Sequence, residues 1–304
     1  MSFFVVVNQM TVLFLLMVTG YIAVKFKLAD GEFQSRLSGF IVNVTQPLVM
    51  IASVSSGEVR GDAGSILTVL AVGLIMYLVL PLVGMGINKV IGTPPEERNT
   101  YLFMTIFSNV GFMGYPVVQS IFGSGAIFYV SIIVMIFNFM SYTVGVSLMS
   151  GDRIQFNPKV LINPGMVAAI TAIMIFLLKI PVHPVIGQFT GMLGNTTSPL
   201  AMVVIGMALS KIPLAKIFSE GRMISFTLIK QIIVPVLAWL ILKNIIADPY
   251  ILGILIVVIA MPVAATSVIF ATQYKKDMDL ATRGVFISTA LSMFTIPLIS
   301  MILT

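Results

Sequence analysis

The apolar positions of this chain gather into long uninterrupted runs, parted by short stretches of charged residues or of proline and glycine. A helix needs about twenty apolar residues to cross the hydrocarbon of a bilayer. On that length the pattern predicts spans over 3–24, 37–55, 64–88, 100–121, 125–149, 158–179, 189–210, 222–243, 250–271 and 283–303. The fold class this implies is all-α integral membrane, with ten transmembrane helices, since a helix satisfies its own backbone where no water is present. The first run starts at Phe3 with no basic residue before it and continues to Val24, so it reads as a span and not as a removable signal segment.

Composition sharpens the picture. The chain is 58% hydrophobic and 9% charged, whereas soluble domains carry roughly a quarter charged residues, and this excludes a surface built for water. Cysteine is absent, which removes disulfides, thiol nucleophiles and thiolate metal sites. The single histidine, His183, stands in a Pro-Val-His-Pro turn without neighbouring ligand types and reads as a plain loop residue.

Charge gives orientation. The loops after spans one, three, five, seven and nine hold Lys25, Lys27, Arg36, Lys89, Arg98, Arg153, Lys159, Lys211, Lys216, Arg222, Lys275, Lys276 and Arg283; the opposite loops hold Arg60, Lys179 and Lys243. By the positive-inside rule both termini face away from the cytoplasm. The net charge of +6 is thus a topology signature. A nucleic-acid partner is excluded, because the basic residues are scattered a few per loop without aromatic interleaving.

The two halves, 1–150 and 158–304, repeat each other. Asn43-Val44-Thr45-Gln46-Pro47 matches Asn195-Thr196-Thr197-Ser198-Pro199, Pro81 pairs with Pro235, and Pro116 pairs with Pro262. Five spans per half is an odd number, so the second half enters from the opposite face. Inverted repeats with interrupted helices at matching places point to secondary transporters and to their binding sites.

These residues resemble the auxin efflux carrier family, in its bacterial form, and more distantly the bile acid/sodium symporter type. The likeness rests on Asn43 to Leu48, on Phe107-Ser108-Asn109-Val110-Gly111-Phe112-Met113-Gly114-Tyr115-Pro116, on Asn163-Pro164-Gly165, on Ser198 to Met202 with Gly206, and on Met261-Pro262 leading to Val268-Ile269-Phe270-Ala271 and Tyr274. It implies a five-plus-five inverted repeat in which spans four and nine are broken and cross at their prolines. It also implies scaffold helices 3–24, 37–55, 158–179 and 189–210, a homodimer through them, and transport helices 64–149 and 222–303. The long hydrophilic central loop of many plant carriers is missing, since only Ser150 to Asn157 join the halves.

At a proline the helix loses a donor and its ring collides with the preceding turn. The chain is therefore expected to open at Tyr115–Pro116 and at Met261–Pro262, with the amides of Val117, Val118, Val263 and Ala264 facing the gap. Two converging half-helix N-termini would favour an anion such as a carboxylate, and Gly111 and Gly114 would allow close approach. By the resemblance, Asn109 contacts the substrate carboxylate. Gln46 and Asn43 are candidates along the path, with Asn195 and Ser198 as their counterparts. Lys230 is the one charge deep inside a span, where burial is costly enough to suggest function; Asn138 is a candidate partner for it.

All acidic residues fall in loops or at span ends, so a carboxylate proton relay inside the membrane is not expected. Sodium symport through neutral oxygens at helix breaks, uniport driven by membrane potential and proton coupling through Lys230 stay open. No cofactor or firm metal site is expected beyond such a sodium ion. The leading expectation is a carrier of a small organic acid in the cytoplasmic membrane. A channel and a non-transporting receptor are its rivals, whereas an intramembrane enzyme lacks any catalytic set.

Overall fold

A computed structural model describes residues 3–55, 59–151, 163–210 and 221–302. Glu58, Asp152, Arg153, Lys159, Lys211, Lys216 and Glu220 of the charge pattern lie outside them, as does most of the connection between the halves. The described chain is helical, and the one β feature among the described residues is an isolated antiparallel bridge between Ser108 and Val263.

Among the described residues, six helices are long and apolar enough to cross a membrane: Gly31–Ser55, Ala63–Val90, Ala126–Ser150, Pro184–Leu209, Gly221–Leu242 and Met278–Ile302. Four more apolar helices are shorter, Thr11–Lys25, Val110–Phe122, Pro164–Leu177 and Pro249–Ile259. The buried side chains are mostly apolar, but large apolar side chains also lie on the outside and several polar ones lie within. Leu78, Met192 and Phe294 are exposed while Lys230, Gln231, Ser288 and Ser292 are buried. An apolar exterior with its few polar groups kept inside is the arrangement hydrocarbon selects. Acidic residues at helix starts act as caps: Asp30 accepts from the Phe33 amide, Asp62 from Ser65, Asp248 from Tyr250 and Asp277 from Leu280. Each meets the positive end of its helix with a negative side chain. His183 caps in the same way, its Nδ1 accepting from the Val185 amide at 3.4 Å.

The chain divides into two compact units that cut across the sequence halves. Unit 1 comprises Met1–Val69, Gly111–Met135 and Lys159–Ile212; unit 2 comprises Leu70–Val110, Ile136–Pro158 and Pro213–Thr304.

In unit 1, α1 (Phe3–Lys25) lies against α11 (Thr197–Leu209), and α3 (Gln46–Ser55) against α9 (Pro164–Leu177) and α10 (Pro184–Gly194). Apolar burial gives little drive between helices already surrounded by lipid, so close backbone packing through small residues takes its place. A Cβ at Gly206 would fall 1.8 Å from the Met17 carbonyl oxygen, one at Gly20 2.0 Å from that of Val203, and one at Gly194 2.7 Å from the Val49 backbone.

Unit 2 packs α5 (Arg98–Ile106), α12 (Gly221–Leu228), α13 (Val234–Leu242), α14 (Pro249–Ile259), α15 (Thr266–Gln273) and α16 (Met278–Ile302). Aromatic rings fill its interior. Phe107, fully buried, has its ring 4.5 Å from that of Phe103, 5.7 Å from Phe137 and 6.0 Å from Tyr77.

Prolines are handled in more than one way. Segments of π-helix at Ile41–Thr45, Val110–Gly114 and Ile229–Ile233 end two residues before Pro47, Pro116 and Pro235. A widened turn makes room for a ring that would strike the carbonyl four residues back. Pro81, expected to mirror Pro235, instead lies inside the α-helical Ala63–Val90. Pro199 lies inside α11, after a turn at Asn195–Thr196.

Candidate functional site

The fourth apolar run is interrupted at Phe107–Asn109, not at Tyr115–Pro116. The first helix α5 ends at Ile106, and Phe107 turns extended (φ −103°, ψ 99°). From Val110 the chain is helical again, first as the π segment and then as α6 (Tyr115–Phe122), passing Tyr115 and Pro116 without a gap. The reason is local: the π turn relieves the clash at Pro116, so this proline does not open the helix. Val117 and Val118 consequently lie within a continuous helical run.

The ninth run does open at its proline. After α14 the chain is non-helical through Met261, Pro262, Val263 and Ala264, and α15 begins at Thr266. The two openings meet inside unit 2 as a short antiparallel pair. The Asn109 amide donates to the Pro262 carbonyl at 2.7 Å, and the Ala264 amide donates to the Phe107 carbonyl at 3.0 Å. The Val263 amide donates to Ser288 Oγ at 3.0 Å. The expectation that Val263 and Ala264 leave amides facing a gap is therefore corrected: both are satisfied. An orphan amide buried in an apolar interior costs as much as a lost hydrogen bond, so the broken segments satisfy one another.

Lys230 belongs to this assembly. It is 2% exposed, and its ammonium donates to Ser108 Oγ and to the Met261 carbonyl, both at 2.8 Å. These are its partners rather than Asn138, a half-buried residue whose carbonyl accepts from Ser141 Oγ. Beside Lys230, Gln231 donates to the Ser288 carbonyl at 2.8 Å and accepts from Thr295 Oγ1 at 3.4 Å. A cavity of about 10 Å³ adjoins the lysine, lined among others by Tyr77, Thr105, Ser108 and Val110. That is room for one water molecule, far less than an organic acid occupies.

The structure thus gathers Asn109, Lys230, Met261, Pro262 and Val263 in unit 2. Gly114, Tyr115, Pro116, Val117 and Gln46 fall in unit 1. There Gln46 is buried, and the buried Tyr115 hydroxyl donates to Ser131 Oγ at 3.4 Å. Asn43 is exposed and donates back to the Gly39 carbonyl of its own helix. Ser198 donates to Gln119 Oε1 at 3.0 Å. Unit 1 also holds an open hollow of about 340 Å³ lined by Ser53, Ser55, Ser124 and Asn195 together with apolar residues. Among the described residues, no charged side chain lines it.

Several participants escaped the sequence reading. Ser108, quoted above only as part of the Phe107–Pro116 stretch, and Ser288 are given a role only by their partners. The hydroxyls of Thr266 and Ser267, on the first turn of α15, and of Thr289 on α16 are buried without a hydrogen-bond partner. Unpaired buried hydroxyls next to a helix break are candidates for a ligand's polar atoms. Their only trace in the sequence is a Thr-Ser pair four residues after Pro262.

Interrupted apolar helices, an apolar exterior and a few buried polar groups are the marks of an integral membrane protein. The comparisons agree: the family described as "Membrane transport protein" matches over residues 5–158 and 153–300, and the chain belongs to that family, the auxin efflux carrier type. An "Uncharacterized transporter" of Methanothermobacter thermautotrophicus is 24% identical over 299 residues, covering 95% of each chain. Another of Methanocaldococcus jannaschii is 23% identical over 299 residues, 94% of this chain and 95% of the relative. A protein of Rhizobium meliloti named "Putative malonate transporter" is 24% identical over 297 residues, 91% of this chain and 89% of its own length.

Proposed function

We propose that this protein is a secondary carrier of a small organic anion, working by elevator-like alternating access, with the carboxylate bound at the paired openings of unit 2. One observation carries the reading: the two interrupted runs pair at Phe107–Asn109 and Pro262–Ala264, with buried Asn109 on one segment and helix α15 starting two residues beyond the other. The α15 N-terminus supplies positive potential. Asn109 supplies an amide donor, and Thr266 and Ser267 supply hydroxyls. The name of the Rhizobium relative supports a small dicarboxylate as substrate.

The rest of the proposal follows the sequence pattern: ten spans in two inverted halves, both termini outside the cytoplasm, and a homodimer through the scaffold helices. Energetically, an anion leaves an inside-negative cell with about 2.3 kcal/mol of assistance per charge per 100 mV, so export requires no coupling ion.

Purified protein reconstituted into vesicles should take up labelled malonate saturably, at rates far below ion conduction. Asn109→Ala should keep the wild-type melting curve without ligand and lose the shift that malonate produces. An undiminished malonate shift in that variant would remove Asn109 from the site.

A further inference from the structure

The buried polar set of the described residues contains one charged side chain, Lys230, and no carboxylate. Isolated buried charge is expensive, so the location of this one requires a reason. Its two partners are neutral oxygens. Met261 lies two residues beyond the end of α14 at Ile259, close to the helix end where carbonyls carry partial negative charge. Ser108 lies in the opening of the fourth run and pairs with Val263 across the bridge. A carbonyl at an unwound helix end together with a hydroxyl is the donor type that hard monovalent cations take in carriers with broken helices.

The helix carrying Lys230 is shaped to deliver it. Lys230 and Gln231 are consecutive and both buried, although regular helical geometry turns neighbours about 100° apart. They sit in the π segment Ile229–Ile233, a local departure from regular helix of the kind often found at functional sites. The adjoining cavity has room for one water and not for an organic acid, and both partners of the ammonium belong to the two broken segments. Lys230, Ser108 and Met261 all belong to unit 2, and the charge therefore stays with the paired openings.

We propose that the Lys230 ammonium is a tethered cation. It occupies, between Ser108 Oγ and the Met261 carbonyl, the position that a soluble coupling cation would take, and it makes the carrier independent of sodium. Lys230 is on this account a positioning residue that holds the two openings together, not a substrate ligand. Its meaning for transport rests on the carrier reading; the cation position itself does not.

The test is thermal unfolding of the full-length protein in detergent, in sodium chloride or choline chloride at equal ionic strength. Wild type should melt at the same temperature in both, within about 1 °C, because no sodium site is left to fill. Lys230→Ala should melt several degrees lower in choline, and sodium should restore part of the loss. Two results would overturn the proposal: sodium-specific stabilisation of the wild type, or Lys230→Ala melting like wild type with no response to sodium. Should the alanine variant fail to fold, Lys230→Arg, which keeps the charge, must remain indifferent to sodium, and the wild-type comparison alone still decides. In vesicles, initial malonate uptake should be equal under sodium and choline gradients; a several-fold sodium stimulation counts against the tethered cation. No malonate flux at all would count against the carrier reading and leave the melting results standing.

Discussion

Unit 1 and unit 2 are both built from apolar helices, yet they are held together by different means. In unit 1 the helices approach until backbone meets backbone, with Gly206 against Met17, Gly20 against Val203 and Gly194 against Val49. In unit 2 side chains reach far along the sequence to tie interrupted segments together: Lys230 to Ser108 and Met261, Gln231 to Ser288 and Thr295, and Ser288 to Val263. Unit 1 has such links too, as Ser198 to Gln119 shows, and in both units many serines and threonines donate to carbonyls one turn back, as Thr19 and Thr171 do in unit 1 and Thr105 and Thr227 in unit 2. What unit 2 adds is the set of links between its interrupted segments. Lipid supplies no hydrophobic drive between helices, which leaves close packing and hydrogen bonding as the available cohesion. Uninterrupted helices can use the first. Broken helices expose backbone groups that only the second can satisfy.

That contrast can be broken most forcefully at Gly206. Valine there puts its Cβ into the Met17 carbonyl, and neither backbone can yield cheaply; overpacking of this kind costs about 3 kcal/mol or more. Little folded protein should survive size-exclusion chromatography. A normal, monodisperse profile would mean that α1 and α11 are not locked through their backbones. Next in size is Ser288→Ala, which leaves the buried Val263 amide without its acceptor. An unsatisfied buried donor costs about 1–3 kcal/mol, to be read as a fall in melting temperature. If the variant melts with wild type, the hydrogen bonds of unit 2 are not what secures the openings.

The smallest effect is expected at a helix end. The Ser65 backbone amide, and then its hydroxyl, hold the Asp62 carboxyl below its usual value of 3.8. A lowered folded value means that the stabilisation is present above that usual value and disappears as pH falls through the lowered one. Asn caps nearly as well as Asp. Asp62→Asn should therefore match wild type from neutral pH down to about pH 5, any difference emerging only in stronger acid. A difference already present at neutral pH would give the Asp62 charge a role beyond the cap.

Much of this architecture is legible residue by residue. Hydrophobic runs need no knowledge of neighbours, because a helix in hydrocarbon satisfies itself, and the described helices fall where those runs fall. The acidic residues at span ends are equally readable, since a cap acts within three residues. The sequence also marks Lys230 as out of place and Pro262 as a break. It misleads at Pro116, where a π turn a few residues upstream absorbs the ring. What opens the fourth run at Phe107 is a strand-like partner at Pro262–Ala264, more than 150 residues away, and no local pattern reports it.

Amino-acid order alone therefore determined that the chain is a bundle of apolar helices, roughly where each runs, and which few residues are too polar for their surroundings. Tertiary structure decided how those residues are used. Ser108 became a partner of Lys230, Ser288 an acceptor for Val263, and Asn109 part of an antiparallel pair. The reason is that helix formation in lipid is settled by each segment's own backbone. The groups released at a helix break are settled only by whichever distant segment arrives to bind them.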